Sequence, residues 1–346
     1  MSPKIAIVIL NWNGAKLLQQ FLPSVIEFSK GGSTEIIVAD NGSADESLSL
    51  LRNKFPEVKI IDLQQNFGFA RGYNEALKQI DAEYFVILNS DIEVTCGWLE
   101  SPIGLMEINK KIAAVQPKIL SYYQKTHFEH AGAAGGFIDR YGYPFCRGRI
   151  FNEVEADNGQ YDNIADIFWA TGACMFVRSA HFREVGGFDA DFWAHMEEID
   201  LCWRLKNKGY RIVFTHESIV HHVGGGTLSY DNPQKLFLNF RNNLWLLYKN
   251  LPANQLFYIL FIRMMLDAVA AFKLLTEFNF KGIRSILKAH YHFYRSLPAL
   301  NRKRKQAGPN DTIRPTTGKL AKSIVFQFYV RKKRKFSEIQ CTTKFL

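Results

Sequence analysis

Cysteine is scarce and scattered in this chain: Cys96, Cys146, Cys174, Cys202 and Cys341 are five in 346 residues, odd in number and without a CxxC pair. A disulfide scaffold and a structural zinc site are thereby disfavoured, and a reducing cytosol is the simpler setting. The first apolar run is not followed by Gly-x-Gly-x-x-Gly but by Asn11-Trp12-Asn13-Gly14, and no glycine-rich loop ending in lysine occurs there. Hydride transfer on a dinucleotide and P-loop phosphoryl transfer lose ground accordingly, as does a nucleotidyltransferase built on such a loop. No basic segment followed by a signal-type apolar stretch opens the sequence, since residues 11–14 break the run at once; Ile5 to Leu10 reads as a buried strand. Long apolar runs are missing too. Arg263, Asp267 and Lys273 interrupt the best candidate, which begins at Leu256, so simple membrane spanning is not expected.

What is present is enough apolar residue for a large core, 47% of the chain. Apolar strands are expected at Ile5 to Leu10, Glu35 to Ala39, Val58 to Leu63 and Tyr84 to Leu88. Helices are expected at Ala15 to Ser29, after Ser43 as N-cap with Glu46 three residues on, and from about Asn66 to Ile80. Alternating strands and helices, with strands that are continuous apolar runs, predict an α/β fold with a mostly parallel central sheet covered on both faces. Polar residues gather at the carboxyl ends of those strands, the edge where open α/β sheets bind ligands. Two acidic groups stand out there: Asn89-Ser90-Asp91 directly after the fourth strand, and Glu197-Glu198-Ile199-Asp200 about a hundred residues later. Together they can hold a divalent cation against a diphosphate and still leave a carboxylate free as a base.

The ordered set Val8-Ile9-Leu10-Asn11-Trp12-Asn13, Ile37-Val38-Ala39-Asp40-Asn41-Gly42-Ser43, Asn66 to Asn74 and Leu88-Asn89-Ser90-Asp91 carries a resemblance, which continues downstream. There it runs through Thr171-Gly172-Ala173, Gly186-Gly187-Phe188-Asp189, Glu197 to Arg204 and His222-Val223-Gly224-Gly225-Gly226-Thr227. The chain resembles the family 2 glycosyltransferases, inverting enzymes of GT-A fold, and within them the rhamnosyltransferase-like branch of bacterial surface polysaccharide synthesis. The resemblance implies a GT-A catalytic domain over residues 1–250 and a helical, basic extension over residues 251–346. It implies transfer of a sugar from a dTDP- or UDP-sugar to a hydroxyl of a glycan or lipid-linked acceptor. The non-enzymatic alternative is an inactive carbohydrate- or nucleotide-binding module.

Carried over residue by residue, the resemblance puts the donor at Asn11, Asp40, Asn66, Phe69, Arg71, Asn74, Asn89 and Asp91. Asp40 can accept a hydrogen bond from the N3–H of uracil or thymine, and as the first residue of Asp-Asn-Gly-Ser it also reads as an Asx-turn residue. Asp91 is the expected ligand of Mn²⁺ or Mg²⁺, with His222 joining it and His221 the weaker substitute; imidazole tilts the choice toward Mn²⁺. The resemblance makes the second residue of the downstream acidic cluster the general base. Here that residue is Glu198 where the family usually has Asp, so Glu198 is preferred over Glu197. Glu197, Asp200 and Arg204 share one helix face and Asp200 is expected to support the base. Trp169, Thr171, Gly172, Trp193 and His195 are the expected acceptor contacts, bordering an insert at residues 121–168; the aromatic ones read equally well as packing residues.

The net charge of +10 is concentrated late, in Arg302-Lys303-Arg304-Lys305 and Arg331 to Lys335. Basic patches favour an anionic partner, acidic lipid or nucleic acid, and the resemblance makes nucleic acid unexpected. Residues from about Gln255 to Lys335 are expected to hold the protein peripherally at the inner face of the cell membrane. Packing on the catalytic domain, or a homodimer, is the competing reading.

Overall fold

The computed structural model of the chain describes residues 4–31, 33–224, 232–306 and 317–340. Its first part runs β1 (Ile5–Asn11), α1 (Ala15–Phe28), β2 (Thr34–Asp40), α2 (Ser47–Lys54), β3 (Lys59–Asp62), α3 (Gly68–Leu77) and β4 (Tyr84–Leu88). β5 (Ile92–Val94), α4 (Glu100–Ile108) and β6 (Ile112–Ser121) follow, then the short strands β7 (Gly136–Asp139), β8 (Pro144–Cys146), β9 (Arg149–Ile150), β10 (Glu153–Val154) and β11 (Ala165–Asp166). β12 (Cys174–Arg178), α5 (Ser179–Glu184), α6 (Glu197–Asn207) and β13 (Arg211–His222) complete the large sheet. α7 (Pro233–Asn250), α8 (Ala253–Thr276), α9 (Phe280–Gln306), β14 (Lys319–Leu320) and α10 (Phe336–Gln340) close the described chain.

The large sheet has the order β11-β13-β6-β12-β4-β1-β2-β3, with β5 alongside β13. Strands β3, β2, β1 and β4 are mutually parallel, as are β6 and β13, so the mostly parallel expectation holds. β12 is the exception in the centre, antiparallel to both β4 and β6. All five residues of β4 and of β12 are buried; β4 is an unbroken apolar run, and β12 is apolar up to its last residue, Arg178. In α1, Leu18, Phe21, Leu22 and Val25 recur at helical spacing and bury one face against the sheet. One start differs from expectation: Ser43 does not cap α2. Its hydroxyl accepts from Asn11 and from the Asn13 amide, while Asp45 takes the Ser47 amide instead.

A second sheet, β10-β9-β8-β7-β14, is built from the expected insert and one strand from far downstream. β14 pairs with β7, the Ile324 amide donates to Asp139 at 2.9 Å, and Phe336 packs against Phe137 and Phe145. Residues 317–340 thus return to the body formed by residues 1–250, and a division of the chain at residue 250 is not a division of its packing.

Two further expectations about the C-terminal part change. Two of the three charges that interrupt the apolar run of α8 turn inward, while Lys273 stays exposed beside Glu277: Arg263 pairs with Asp267 at 2.7 Å and also meets Asn243, and Asp267 accepts from His290 at 3.1 Å. The outward face of α8 is left apolar, with Phe257, Phe261, Met265, Val269 and Phe272 all more than half exposed. The basic segment at 302–305 is in turn partly consumed. Lys303 pairs with Asp189 and with Asp191, and Arg304 donates to the Tyr248 carbonyl at 2.7 Å. Among the described residues no helix is long and apolar enough to cross a membrane.

Candidate active site

Parallel register sets the site. Asn11 stands beside Asp40, Asp40 beside Asp62, and Ile9 beside Leu88, so β1, β2 and β4 present their carboxyl ends along one edge. There Asn11 and Asp40 are fully buried, and Asn11 Nδ2 donates to Asp40 Oδ2 at 3.0 Å. Asp40 Oδ1 accepts from the Ser43 amide at 2.8 Å, the Asx-turn arrangement. Both Asp40 oxygens thus have partners, while Asn11 Oδ1 is buried with none. Asn66 shapes the adjoining loop, its Oδ1 accepting from the Gly68 amide and from Asn41 Nδ2. Asn41 also holds Phe67 and Gly68 by their backbone groups, a role beyond the site list read from the sequence.

Several expected donor residues are engaged elsewhere. Asn74 does not face the ligand edge: its amide donates to the Phe188 carbonyl at 2.7 Å and accepts from the Phe188 amide at 3.0 Å, clamping the Gly-Gly-Phe turn. Phe69 is half-buried between Tyr73 and Phe188. Arg71 is exposed, its guanidinium 4.4 Å from the Phe67 ring. Asn89 is half-buried, held through its backbone amide to the Ala173 carbonyl at 2.9 Å.

Asp91 meets His222 through strand pairing: His222 in β13 stands beside Ile92 in β5, and the Val223 amide donates to the Asp91 carbonyl. Asp91 Oδ1 and His222 Nε2 are 3.1 Å apart. His221, the next residue on the strand, meets Glu93 at 3.2 Å instead. His222 Nδ1 contacts Glu129 Oε2 at 2.9 Å, and Gly224 comes close behind: φ of +71° and a Cβ that would collide with Glu129 Oε1 leave no room for another residue. Burial depresses the imidazolium of His222, but hydrogen bonds to Asp91 and Glu129 outweigh it and raise the group to about 10. No pattern in the sequence marked Glu129, because its partner lies 93 residues downstream.

Once a metal displaces the Nε2 proton of His222, that nitrogen and Asp91 Oδ1 form a donor pair that fits a divalent ion. Two adjacent ligands each about 2.1 Å from an octahedral ion lie about 3 Å apart, the separation of these two atoms, and Glu129 is placed to fix the imidazole from behind. Among the described residues no third His, Cys, Asp or Glu joins the pair. Gly225, Gly226 and Thr227 of the same motif lie outside the described residues.

The second acidic centre sits at the start of α6, after a loop with positive φ at Trp193, His195 and Met196. Such backbone persists only where its surroundings hold it. Asn242 on α7 does so, donating to the carbonyls of Phe192, Ala194 and His195, and the Trp193 carbonyl accepts from the amides of Phe69 and Ala70. Trp193 is itself half exposed and covers Gly68, whose Cβ would lie 2.7 Å from its ring. Burial and the charge of Lys235 push the His195 imidazole down to about 4.

Glu197 is buried and Glu198 half-buried; each has a sealed Oε2 without a partner. Burial, then the charge of Glu198, raise Glu197 well above the usual carboxylate range; burial raises Glu198 to about 7. Asp200 behaves in the opposite way. It is fully buried, yet Lys249, then Arg204, hold its carboxyl low against that burial. Lys249 lies 2.9 Å from it, Arg204 2.8 Å, and Asn250 donates at 2.8 Å. Lys249 also pairs with Asp189 at 2.5 Å, so the network ties α6 to α7 and, through Lys303, to α9. Asp200 is therefore a structural anchor for the amino end of α6, not a group open to solvent.

Of the expected acceptor contacts, Trp169 is moved into the core: it is 4% exposed, and its indole N–H donates to the Phe137 carbonyl at 2.9 Å. Thr171 is buried, its amide bound to Gln116 and its hydroxyl accepting from Ala173. Gly172 is buried with Phe69 against it. Trp193 stays half exposed over Gly68, and His195 is half-buried.

The sequence model described as glycosyl transferase family 2 matches residues 6–186, ending before the second acidic centre. An N-acetylglucosaminyl-diphospho-decaprenol L-rhamnosyltransferase of Mycobacterium tuberculosis is 23% identical over 66% of this chain and 78% of its own length. An O-antigen biosynthesis protein, RfbC of Myxococcus xanthus, is 25% identical over 64% of this chain, which spans 17% of that larger protein. Two solved structures share the fold: GalNAc-T7 with UDP, GalNAc and Mn²⁺ (TM-score 0.56, 16% identity, 72% of this chain and 48% of that one), and a Pyrobaculum calidifontis mannosyltransferase with GDP-Man and Mn²⁺ (0.52, 14%, 89% and 80%).

Proposed function

Because the chain belongs to glycosyl transferase family 2, with the GT-A fold, we propose that it moves a sugar from a dTDP- or UDP-sugar to a hydroxyl of a lipid-linked saccharide, by single displacement, in surface polysaccharide synthesis. The observation that supports this most is the pairing of two unlike acidic centres: Asp91 with an imidazole 3.1 Å away, and Glu198 with a sealed, unpartnered oxygen. Asp91 and His222 would hold Mn²⁺ or Mg²⁺, which when bound offsets the charge developing on the leaving diphosphate. Glu198, ionised above about pH 7, takes the proton of the attacking hydroxyl. Glu197, whose burial and neighbouring charge favour its protonated form, is the poorer proton acceptor of the two. Asn11 Oδ1, buried without a partner, is the acceptor for a pyrimidine N3–H, with Asp40 holding the Asn11 amide in place.

Single displacement inverts the anomeric centre, so an α-linked donor yields a β bond and a β-linked dTDP-rhamnose-type donor an α bond. Thermal shift against a panel of sugar nucleotides with Mn²⁺ should pick out the donor by stabilisation, and NMR of the product should show inversion. Retained configuration would overturn the displacement, and failure of every donor to bind would favour an inactive binding module.

The relative whose name specifies a diphospho-decaprenol acceptor supports an acceptor of that chemistry here, and hence work at a membrane surface. The outward face of α8 supports the same reading: an exposed aromatic and aliphatic stripe is what an interfacial helix buries among lipids. Full-length protein should float with phosphatidylcholine–phosphatidylglycerol vesicles and be only partly released by high salt, because the apolar contribution is not screened. Phe257→Ser with Phe261→Ser and Phe272→Ser should abolish the salt-resistant fraction. If these changes leave flotation intact but turn a dimer into a monomer, the face is a self-association surface.

A further inference from the structure

Away from the catalytic edge, the first turn of α7 and one face of α9 enclose a cavity of about 400 Å³ lined by Pro233, Gln234, Phe237, Lys281, Arg284, Ser285 and Lys288. Its walls are fixed: the Ser285 hydroxyl donates to the Pro233 carbonyl at 3.0 Å, Asn232 caps α7 by accepting from the Gln234 amide, and the Phe237 ring lies 4.8 Å from Lys288 Nζ. Lys281, Arg284 and Lys288 follow at i, i+3 and i+7, so they share one face of α9. Among the described residues none of the three has a carboxylate partner, in contrast to Arg263, Lys249 and Lys303, which are all paired nearby. Three unpaired cations around a cavity at the amino end of an 18-residue helix form an electrostatic cradle for a doubly or triply charged anion.

What surrounds the cavity narrows the anion. On α9 the residues beside the basic face are Phe280, Leu287, Tyr291 and Tyr294, each more than half exposed, and Tyr294 reaches Met264 of α8, carrying the apolar surface across to that helix. On the other side, α7 leads back to the catalytic cleft: Lys235, in its first turn, is close enough to His195 for its charge to be felt there, and Asn242 holds the loop before Glu198. The cavity therefore lies between a greasy surface and the cleft. A saccharide in the cleft, attached to a diphosphate on a long hydrocarbon, would pass its headgroup through that position.

We propose that the cavity of Lys281, Arg284 and Lys288 seats the diphosphate of an isoprenoid-linked acceptor. The inference rests on the transferase reading above and assigns the subsite that the reading leaves open. Farnesyl diphosphate serves as the probe, titrated into the full chain with inorganic pyrophosphate and farnesol as the two halves of the ligand. The whole probe should bind more tightly than either half. A Lys281→Gln, Arg284→Gln, Lys288→Gln variant should weaken it by about a hundredfold or more, since a charge-assisted hydrogen bond contributes about tenfold or more. The substituted side chains are exposed, and unchanged affinity for the donor nucleotide with Mn²⁺ would show that the variant is folded. Asp91→Asn should leave probe binding untouched.

Displacement of the probe by the donor nucleotide with Mn²⁺ would mean that it sits in the donor site, and would overturn the proposal. So would full-strength probe binding by the triple variant; if that variant also lost flotation with anionic vesicles, the three cations would be assigned to bilayer headgroups. Nucleotide binding with no probe binding sinks this inference alone, whereas absence of nucleotide binding sinks the transferase reading.

Discussion

Glu198→Gln should lower sugar transfer by about 10²- to 10⁴-fold, the usual span of a general base, while donor affinity stays at the wild-type value. The amide keeps the shape of the carboxyl and cannot take a proton. Transfer by the wild type should fall as pH drops through about 7, where burial places the Glu198 carboxyl, and the residual activity of the variant should lose that dependence. Stability gives a second, independent signature. A carboxyl whose folded value exceeds its unfolded value of 4.5 stabilises the folded state in its protonated form; that contribution is complete below about 4.5 and is lost as pH rises through about 7. Glu198→Gln should therefore gain thermal stability relative to the wild type at pH 8 and show no gain near pH 4. Glu197→Gln should affect single-turnover transfer much less, because burial, then the charge of Glu198, favours the protonated form of that carboxyl. The reverse ranking would move the base to Glu197.

Asp91→Asn should cut turnover by about 10²- to 10³-fold, the scale of removing one electrostatic contact to the developing charge, and should erase the effect of Mn²⁺ on donor affinity. The amide keeps nearly the same volume and can still reach His222, so the fold should survive; the remaining His222–Glu129 contact holds the imidazole. Calorimetric titration of the donor with and without Mn²⁺ separates the two roles Asp91 could have. A purely structural Asp91 would lower stability but leave the metal dependence in place, and equal donor affinity with and without metal in the wild type would remove the metal from the reading altogether.

How much of this was legible beforehand varies by element. β1, β2, β3 and β4 can be read to within one residue at each end, β1 and β4 most directly because buried parallel strands are unbroken apolar runs. The start of α2 is not legible locally: Ser43 and Glu46 carry a capping spacing, but the Asn11 side-chain amide and the Asn13 backbone amide claim the Ser43 hydroxyl first. Residue type and position in a motif point Asn74 to the ligand and leave Trp169 equally open to an acceptor contact or to packing. Both polar groups found backbone partners, Asn74 at Phe188 and Trp169 at Phe137, and a buried polar group keeps such a partner because losing it costs about 1–3 kcal/mol. Glu129, Asn242 and Lys249 carried no local signal at all, since each acts on a residue tens of positions away.

The sequence by itself determined the alternation of strands and helices, the polar edge where the parallel strands end, and the two acidic groups, because those features depend on neighbours within a turn or a strand. Tertiary structure alone decided what each carboxylate became. Asp91, Glu198 and Asp200 are all acidic, yet one faces an imidazole delivered by the β5–β13 pairing, one keeps a sealed oxygen without a partner, and one is held ionised by Lys249 and Arg204. The same holds for α8, where two of the three charges that break the apolar run in sequence, Arg263 and Asp267, are folded inward. Their burial in the Arg263–Asp267 pair, with Asn243 and His290, leaves the apolar residues facing out. Solvent access and the nearest opposite charge set both outcomes, and neither exists until distant segments are packed together.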